Sequence, residues 1–267
     1  MKILPSLNTF QEFQLSHEVD GIDGVIKVCI VCEEGKINLN QVFDFKTKKF
    51  VGEGQPSGDW KLVLQAIFKK IETMVGGGDL FVPFERFLKK REGKKIEDVT
   101  ELLSIKEFFV FKDLVYYDPI STPEKQSKKR GALTDIFTVH SKKQKIEPWL
   151  LSDGLLALGD IKSLTAKEAT QRKSQITTWL QKFKMNSDWK NDWTTILKPV
   201  YEKELQSLPK GIESFLSTNF DPRSFSVLVH ATVNNVTQYL LAIVERINRS
   251  QNGEIVYDSR IKKLYWL

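Results

Sequence analysis

The chain has 267 residues, of which 41% are hydrophobic, and its 40 basic and 34 acidic residues give a net charge of +6. At roughly 100 to 200 residues per domain, this length favours two domains. No stretch approaches the ~18 apolar residues that a membrane span requires, and the N-terminus lacks the apolar run of a signal peptide. We therefore expect an intracellular protein without a membrane segment.

Apolar patterning in the first half of the chain, residues 1–118, predicts an α+β domain. The alternation that includes Phe13 predicts a first strand, and the apolar run Val25–Cys32 predicts a second strand that is buried on both faces. A third strand is expected between residues 37 and 45, and an interrupted strand over 108–117. Together these segments predict an antiparallel sheet.

A long helix is predicted to pack against this sheet. Asp59 is a suitable N-cap, the residues after it repeat apolar positions at helical spacing, and the glycines at 76–78 end the helix. The preceding loop, residues 52–58, is rich in glycine but lacks the Gly-Lys-Ser/Thr sequence of a phosphate-binding loop. We therefore expect a flexible loop there and no cofactor.

The residue types that bind metals are few and scattered. Cys29 and Cys32 lie three apart in the second predicted strand, so their side chains point to opposite faces of the sheet. The three histidines, His17, His140 and His230, have no neighbouring metal-ligand pattern. We expect two core thiols and no metal site.

One enzymatic alternative stays open. Asp23, Glu34 and Lys36 flank the second strand and loosely resemble the acidic and lysine groups with which nucleases hold a magnesium ion and position water. However, Glu34 and Lys36 fall in a predicted tight turn, whereas that chemistry requires them on the strand. We favour an exposed hairpin turn and a protein that is not an enzyme.

Composition changes abruptly in residues 119–147, which we predict to be a disordered basic tether. Large apolar side chains are few there, and the stretch 124–145 holds seven basic and two acidic residues, a local charge of +5. Two basic clusters resemble a bipartite nuclear import signal, which implies a nuclear protein in a eukaryote and a cytoplasmic one otherwise. The alternative is a solvated polycationic loop. The clusters are Lys128, Lys129 and Arg130, followed by Lys142, Lys143 and Lys145.

A small apolar island lies between the two basic clusters. Residues 130–137 resemble the PCNA-interacting peptide, with Leu133 at its aliphatic position, Thr134 and Asp135 as its spacer pair and Phe137 at its second aromatic position. Arg130 replaces the usual glutamine, and Ile136 replaces the first aromatic residue. The resemblance implies that this segment docks on a sliding clamp in DNA replication or repair. The alternatives are another docking peptide, or an amphipathic turn that packs on the protein itself.

The second half, residues 148–267, is predicted to be a mainly helical domain that ends in a β-hairpin. Asp221 and Pro222 provide a cap and a first-turn proline for a long helix that reaches about residue 250. The pair Asn252–Gly253 then predicts a tight turn into the hairpin. Helices followed by a hairpin are typical of winged-helix proteins, in which Lys262 and Lys263 would contact a phosphate backbone.

These patterns favour a noncatalytic nuclear adaptor in DNA replication or repair, which docks a protein partner through residues 130–137 and belongs to a hetero-complex. A second hypothesis is a nucleic-acid-binding protein that uses its C-terminal domain. A third is a structural subunit of a larger assembly, in which residues 119–147 are only a spacer.

Overall fold

The computed structural model describes residues 7–8, 10–55, 58–116, 132–159, 161, 193–208, 211–217, 221–251 and 254–267, with isolated positions at 171, 174, 175, 178 and 191. The strands are β1 Phe10–Leu15, β2 Gly24–Cys32, β3 Ile37–Asn38, β4 Phe43–Asp44, β5 Lys49–Phe50, β6 Phe137–Thr138, β7 Ser224–Val233, β8 Val236–Gln251 and β9 Glu254–Trp266. The α-helices are α1 His17–Asp20, α2 Leu39–Val42, α3 Trp60–Val75, α4 Phe81–Lys89, α5 Leu133–Ile136, α6 Asp153–Leu158 and α7 Lys198–Tyr201. Shorter helical turns are Glu33–Gly35, Val99–Ser104, Lys106–Phe111, Pro148–Leu150, Trp193–Leu197, Leu205–Ser207 and Ile212–Phe215.

Both ends of the chain build one five-stranded antiparallel sheet, whose order is β1-β2-β7-β8-β9. Residues 33–223 are therefore an insertion between two neighbouring strands, β2 and β7. The mixed α+β class and the C-terminal hairpin of β8 and β9 are confirmed. The structure does not follow the predicted division into residues 1–118 and 148–267, because strands from both ranges pair with each other.

The long helix predicted after Asp221 does not form, and its residues make β7 and β8 instead. Asn234 and Asn235 join the two strands with φ angles of 49° and 66°, a left-handed pair that matches the twist of a two-residue hairpin. The winged-helix interpretation is not confirmed, since these strands occupy the place of its recognition helix.

Helix α3 begins and ends where the sequence indicated. The Asp59 carboxylate accepts hydrogen bonds from the backbone N–H groups of Lys61 and Leu62, and Gly76 takes the left-handed C-cap conformation at φ 69°. Inside the insertion, Phe68 of α3 packs against four other phenylalanine rings. Those rings belong to Phe81, Phe84, Phe108 and Phe137.

Two predicted strands of the first half are replaced by other structure. The segment 37–45 forms the two-residue strand β3, helix α2 and the short strand β4. Within 108–117, the turn Lys106–Phe111 places Phe108 and Phe111 in the core. Runs of large aromatic residues fit either conformation locally, so their burial against α3 decides the outcome.

The predicted tether is wrong for residues 132–147, which are an integral part of the insertion. Helix α5 leads into β6, and β6 pairs in parallel with β3 through Ile37 and Phe137. Further along, Ile146 makes an isolated bridge to Leu216. The first part of the predicted tether, including the cluster Lys128, Lys129 and Arg130, lies outside the described residues.

Gly35 lies in the turn after β2 and is in close contact with the turn Pro148–Leu150. A Cβ atom at Gly35 would lie 1.8 Å from the backbone oxygen of Leu150. We therefore expect Gly35→Ala to force the two turns apart and to lower the free energy of unfolding by about 1 to 3 kcal/mol. Chemical denaturation measures the loss. Gly77→Ala, at a position with one ordinary contact, is the control and should change stability by less than ~1 kcal/mol; equal losses for both variants would contradict the contact.

Candidate functional site

The acidic residues of the nuclease hypothesis are not brought together. Asp23 precedes β2 and Glu34 follows it, and a strand of nine residues separates them by roughly 27 Å or more. Glu34 is also buried, so the predicted exposed turn is wrong. Within the described residues, no group of three or more His, Cys, Asp or Glu side chains is placed to hold a metal ion.

Glu34 instead belongs to a buried polar cluster at the junction of the sheet and the insertion. Its carboxylate accepts the backbone N–H of Ser224 at 3.1 Å, and the thiol of Cys32 donates to it at 3.3 Å. Glu147 is completely buried, and the ammonium of Lys143 donates to it at 2.6 Å. Burial raises the pKa of both Glu34 and Glu147.

A second buried polar group connects the turn after β2 to α5 and β6. Lys36 donates to Glu33 at 2.5 Å, and the Thr138 hydroxyl donates to the same carboxylate. Burial alone would raise the pKa of Glu33, but the Lys36 charge and these hydrogen bonds leave it below its usual value. Asp135 is buried beside this pair and accepts a hydrogen bond from the backbone N–H of Gly154. Burial and then the neighbouring Asp153 raise the pKa of Asp135 to about 7.

The cavity next to these groups is too small for an organic ligand. It encloses about 50 Å³, which is space for a few water molecules, whereas ligand pockets are typically ~300 Å³ or larger. Its walls include His140, whose pKa burial lowers, and Tyr265, whose hydroxyl donates to Asp98 at 2.6 Å. The polar groups here hold segments of the protein together, and the cavity offers no substrate site.

The apolar island of the clamp-like motif lies inside the protein's own core. Leu133 and Ile136 are 0% exposed and Phe137 is 1% exposed, while Thr134 and Asp135 hydrogen-bond within the chain. This position corresponds to the alternative of a turn that packs on the protein itself. Clamp docking stays a prediction, and it requires this segment to leave the core.

The structure brings together two sets of lysines that the sequence analysis treated separately. Lys142 from the second basic cluster and Arg260 from β9 both pair with the carboxylate of Glu245, the latter at 3.0 Å. Lys262 and Lys263 follow on the same strand and are exposed. In the remainder of the second basic cluster, Lys143 pairs with buried Glu147 and Lys145 is exposed. Nuclear import through these clusters stays a prediction.

One face of the five-stranded sheet is apolar on every strand, and we call it the apolar sheet face. Pairing registers place its members side by side, for example Val28 beside Val229, and Leu240 beside Trp266. The members are Phe13 and Leu15 on β1, Ile26, Val28 and Ile30 on β2, Val227, Val229 and Ala231 on β7, Leu240, Ala242 and Val244 on β8, and Ile261, Leu264 and Trp266 on β9.

The apolar sheet face is open to solvent in the described part of the chain. Its outer members are exposed, with Trp266 at 73%, Ile261 at 62% and Phe13 at 54%, and the inner ones except Ala242 keep partial exposure. The same face also carries the uncharged Gln11 and Gln238, and beyond Val244 it carries Arg246, which pairs with Asp221. Lys262 lies at the bulge opposite residues 243–244.

The opposite face carries the polar residues of the same strands. Glu12 and Lys27 form an ion pair there at 3.1 Å, and the hydroxyls of Thr232 and Thr237 are 2.9 Å apart. Near the insertion this face is covered by the groups that surround the small cavity. The sheet is therefore amphipathic. Its apolar face packs on the core of the insertion at Ile30, and its remaining members keep at least partial exposure except Ala242.

This surface was not predicted from the sequence, because residues 222–250 were assigned to a helix. A period-two signal was present in the alternation of Phe225, Val227, Val229 and Ala231. It was obscured because the following strand, β8, carries apolar residues on both faces, for example Leu240 and Leu241.

No protein-family model matches the chain, and no curated protein matches it. A solved structure with some similarity is the GspK-GspI-GspJ complex from the type 2 secretion system of enterotoxigenic Escherichia coli. The alignment has 12% identity and a TM-score of 0.46, and it covers 97% of this chain and 83% of that chain. Similarity at this level assigns neither a family nor a function. Within the described residues, every helix is too short or too polar to cross a bilayer.

Proposed function

We propose that the protein is a noncatalytic subunit of a hetero-complex, and that it docks a partner protein through the apolar sheet face. The observation that carries this proposal is the apolar surface that spans all five strands. A soluble sheet normally buries such a face against another layer. The described part of the chain supplies no such layer, so a partner is the natural source.

The size of the face suits a specific interface. Five strands at ~4.8 Å spacing and about six residues at ~3.3 Å rise give roughly 500 Å² in projection. The largest apolar patch on a typical monomer is about 300 to 600 Å² and often functional, and a standard interface takes about 800 Å² from each partner. Side chains project from the sheet, so the accessible area of the face is larger than the projected area. The face can therefore supply most of the area that one partner contributes to a standard interface.

The side chains of the face define the chemistry of the partner. Aliphatic residues such as Val28, Val229 and Leu240 occupy the inner strands, whereas Phe13 and Trp266 stand on the two outer strands. An opposing charge would lose its hydration here without gaining an ion pair. The complementary partner is a protein surface that is apolar and uncharged.

Charge introduced on the rim of the face is expected to abolish partner binding. The test variant is Ile261→Glu/Trp266→Glu, which alters two exposed positions and leaves the fold intact. Its control, Leu62→Glu/Val82→Glu, adds the same charge at exposed apolar positions on α3 and α4. The partner is first isolated from the source cells on the wild-type chain and purified. Its dissociation constant is then measured for the wild type and for each variant. We expect at least a 100-fold loss for the test variant and less than a threefold change for the control.

Three outcomes would contradict this proposal. Affinity that survives the rim charges would place the interface elsewhere. Sedimentation of the wild-type chain as a dimer that Ile261→Glu/Trp266→Glu separates would show that a second copy covers the face. Flotation of the wild-type chain with neutral phosphatidylcholine vesicles, lost in the same variant, would show that the face meets lipid.

A further inference from the structure

Within the described residues, the carboxyl group of Asp135 is buried without an ion pair. Asp135 is 2% exposed, and its carboxylate accepts a hydrogen bond from the backbone N–H of Gly154. The ammonium group of Lys36 acts on Asp135, but it already pairs with Glu33 at 2.5 Å. Asp153, next to Gly154 on α6, adds another negative charge. An ionised Asp135 therefore makes three carboxylates beside one ammonium group.

The other ionisable groups around Asp135 supply no balancing positive charge. His140 lines the same cavity, and burial lowers its pKa, so its ring is neutral at pH 7. The remaining groups on the surrounding elements are acids, or are neutral at that pH. They are Cys29, Glu34, Asp98, Glu101, Tyr116 and Tyr265.

Asp135 belongs to a short segment, residues 132–138, that is held mainly by bonds to other parts of the chain. Helix α5 has four residues and β6 has two, so the segment has little secondary structure of its own. The backbone N–H groups of Leu133 and Thr134 donate to the backbone oxygens of residues 114–115 at 2.9 and 3.0 Å. Helix α3, in contrast, has 16 residues and its own helical hydrogen bonds. Short elements of this kind can open locally while the rest of a domain stays folded.

We infer that Asp135 is a pH-sensitive latch for residues 132–138. With its proton bound, the neutral carboxyl group keeps α5 and β6 in the core. Without the proton, a buried negative charge beside Glu33 and Asp153 favours an open state in which water hydrates that charge. The open state exposes the apolar side chains of the segment, so the latch controls their access to solvent and to partners. These side chains are Leu133, Ile136 and Phe137.

The latch closes at low pH and loosens as the pH rises. Because the pKa of Asp135 in the closed state, about 7, lies above its usual value of 3.8, the closed state binds the proton more tightly than the open state. For one group with these two pKa values, the equilibrium constant for opening rises roughly 50-fold between pH 5 and pH 7. The inference does not depend on the apolar sheet face.

Hydrogen exchange of the full chain, read by mass spectrometry and corrected for the intrinsic effect of pH, tests the latch. The protection of residues 133–137 should fall roughly 50-fold between pH 5 and pH 7. Local opening exposes little surface, so this exchange should not change in up to about 1 M urea, whereas exchange of α3 should accelerate.

Three variants show which group is responsible. Asp135→Asn should remove the pH dependence and leave less than a threefold change. Asp153→Asn should reduce the fall in protection, because it removes one repelling charge. Glu18→Gln, at an exposed position, is the control for net charge and should keep the fall of the wild type.

Three results would overturn the inference. Unchanged protection of residues 133–137 between pH 5 and pH 7 would show that no latch operates. A fall in protection that persists in Asp135→Asn, or that Asp153→Asn leaves at its full size, would assign the pH dependence to another group. Equal urea dependence in this segment and in α3 would show that the segment opens only when the whole protein unfolds.

Discussion

Replacing Phe137 by alanine is expected to lower the free energy of unfolding by about 3 to 5 kcal/mol. The Phe137 ring is 1% exposed and stacks on Phe68 with ring centroids 5.6 Å apart. Removing it leaves a cavity in the centre of the insertion that well-packed neighbours cannot fill completely. Guanidinium denaturation followed by tryptophan fluorescence measures the change.

The control is Phe109→Ala, which truncates a phenylalanine that is 59% exposed, and we expect it to change stability by less than ~1 kcal/mol. A docking peptide on a disordered tether would behave differently, because truncating Phe137 would then leave stability unchanged. Equal midpoints for wild type and Phe137→Ala would therefore show that residues 133–137 lie outside the core and would revive clamp docking as their role.

Replacing Asp135 by asparagine is expected to stabilise the protein at neutral pH and to flatten its pH dependence. Because the pKa of Asp135 in the folded state, about 7, lies above its usual value of 3.8, the folded state binds the proton more tightly than the unfolded state. The protonated carboxyl group of Asp135 therefore contributes its full stabilisation below about pH 4, and this stabilisation declines as the pH rises to about 7. Asparagine mimics the neutral acid, so Asp135→Asn should gain roughly 2 to 4 kcal/mol over wild type at pH 8 and little at pH 4.

Denaturation midpoints between pH 4 and pH 8 measure this difference. Glu18→Gln, which removes a carboxylate from an exposed position, is the control for the change in net charge. A constant difference for Asp135→Asn would sink the assignment of a buried, protonated Asp135. A loss of stability at every pH would show that the ionised carboxylate, through Gly154, holds α6 in place.

The elements that the sequence predicted correctly carry their own boundary signals. Helix α3 has an aspartate cap, helical spacing of apolar residues and a glycine stop, all within 20 residues. Strand β2 is a largely apolar run between a glycine turn and a pair of glutamates; its predicted burial on both faces is wrong, because residues 25–28 keep partial exposure. Such local signals operate in the unfolded chain, so they need no information about the partners of the element.

The errors concern contacts between residues that are far apart in the chain. Strand β7 pairs with β2 almost 200 residues away, and nothing near residue 225 announces that partner. The run from Phe225 to Ile247 places apolar residues on both faces of its strands, which satisfies helical and strand spacing equally well. The turn at Asn234 and Asn235 was the local signal that could have decided for a hairpin.

The burial of residues 133–137 and the existence of the apolar sheet face could not be predicted for the same reason. Leu133, Ile136 and Phe137 sit between lysine clusters, so composition indicated a tether, whereas the core of the insertion buries them. The apolar sheet face exists only after β1 and β2 pair with the last three strands. The ion pair of Lys142 with Glu245 likewise forms only when the fold brings residue 142 to the sheet.

Hydroxyl-radical footprinting, read by mass spectrometry, tests the central claim most directly, which is that the apolar sheet face is open in the free chain and covered in its complex. In the free chain we expect Phe13 and Trp266 to oxidise rapidly and buried Trp60 slowly. In the purified complex, Phe13 and Trp266 should become protected at least tenfold, while exposed Phe109 should oxidise as before. Protection of Trp266 in the free chain, or unchanged oxidation of both rim residues in the complex, would contradict the account.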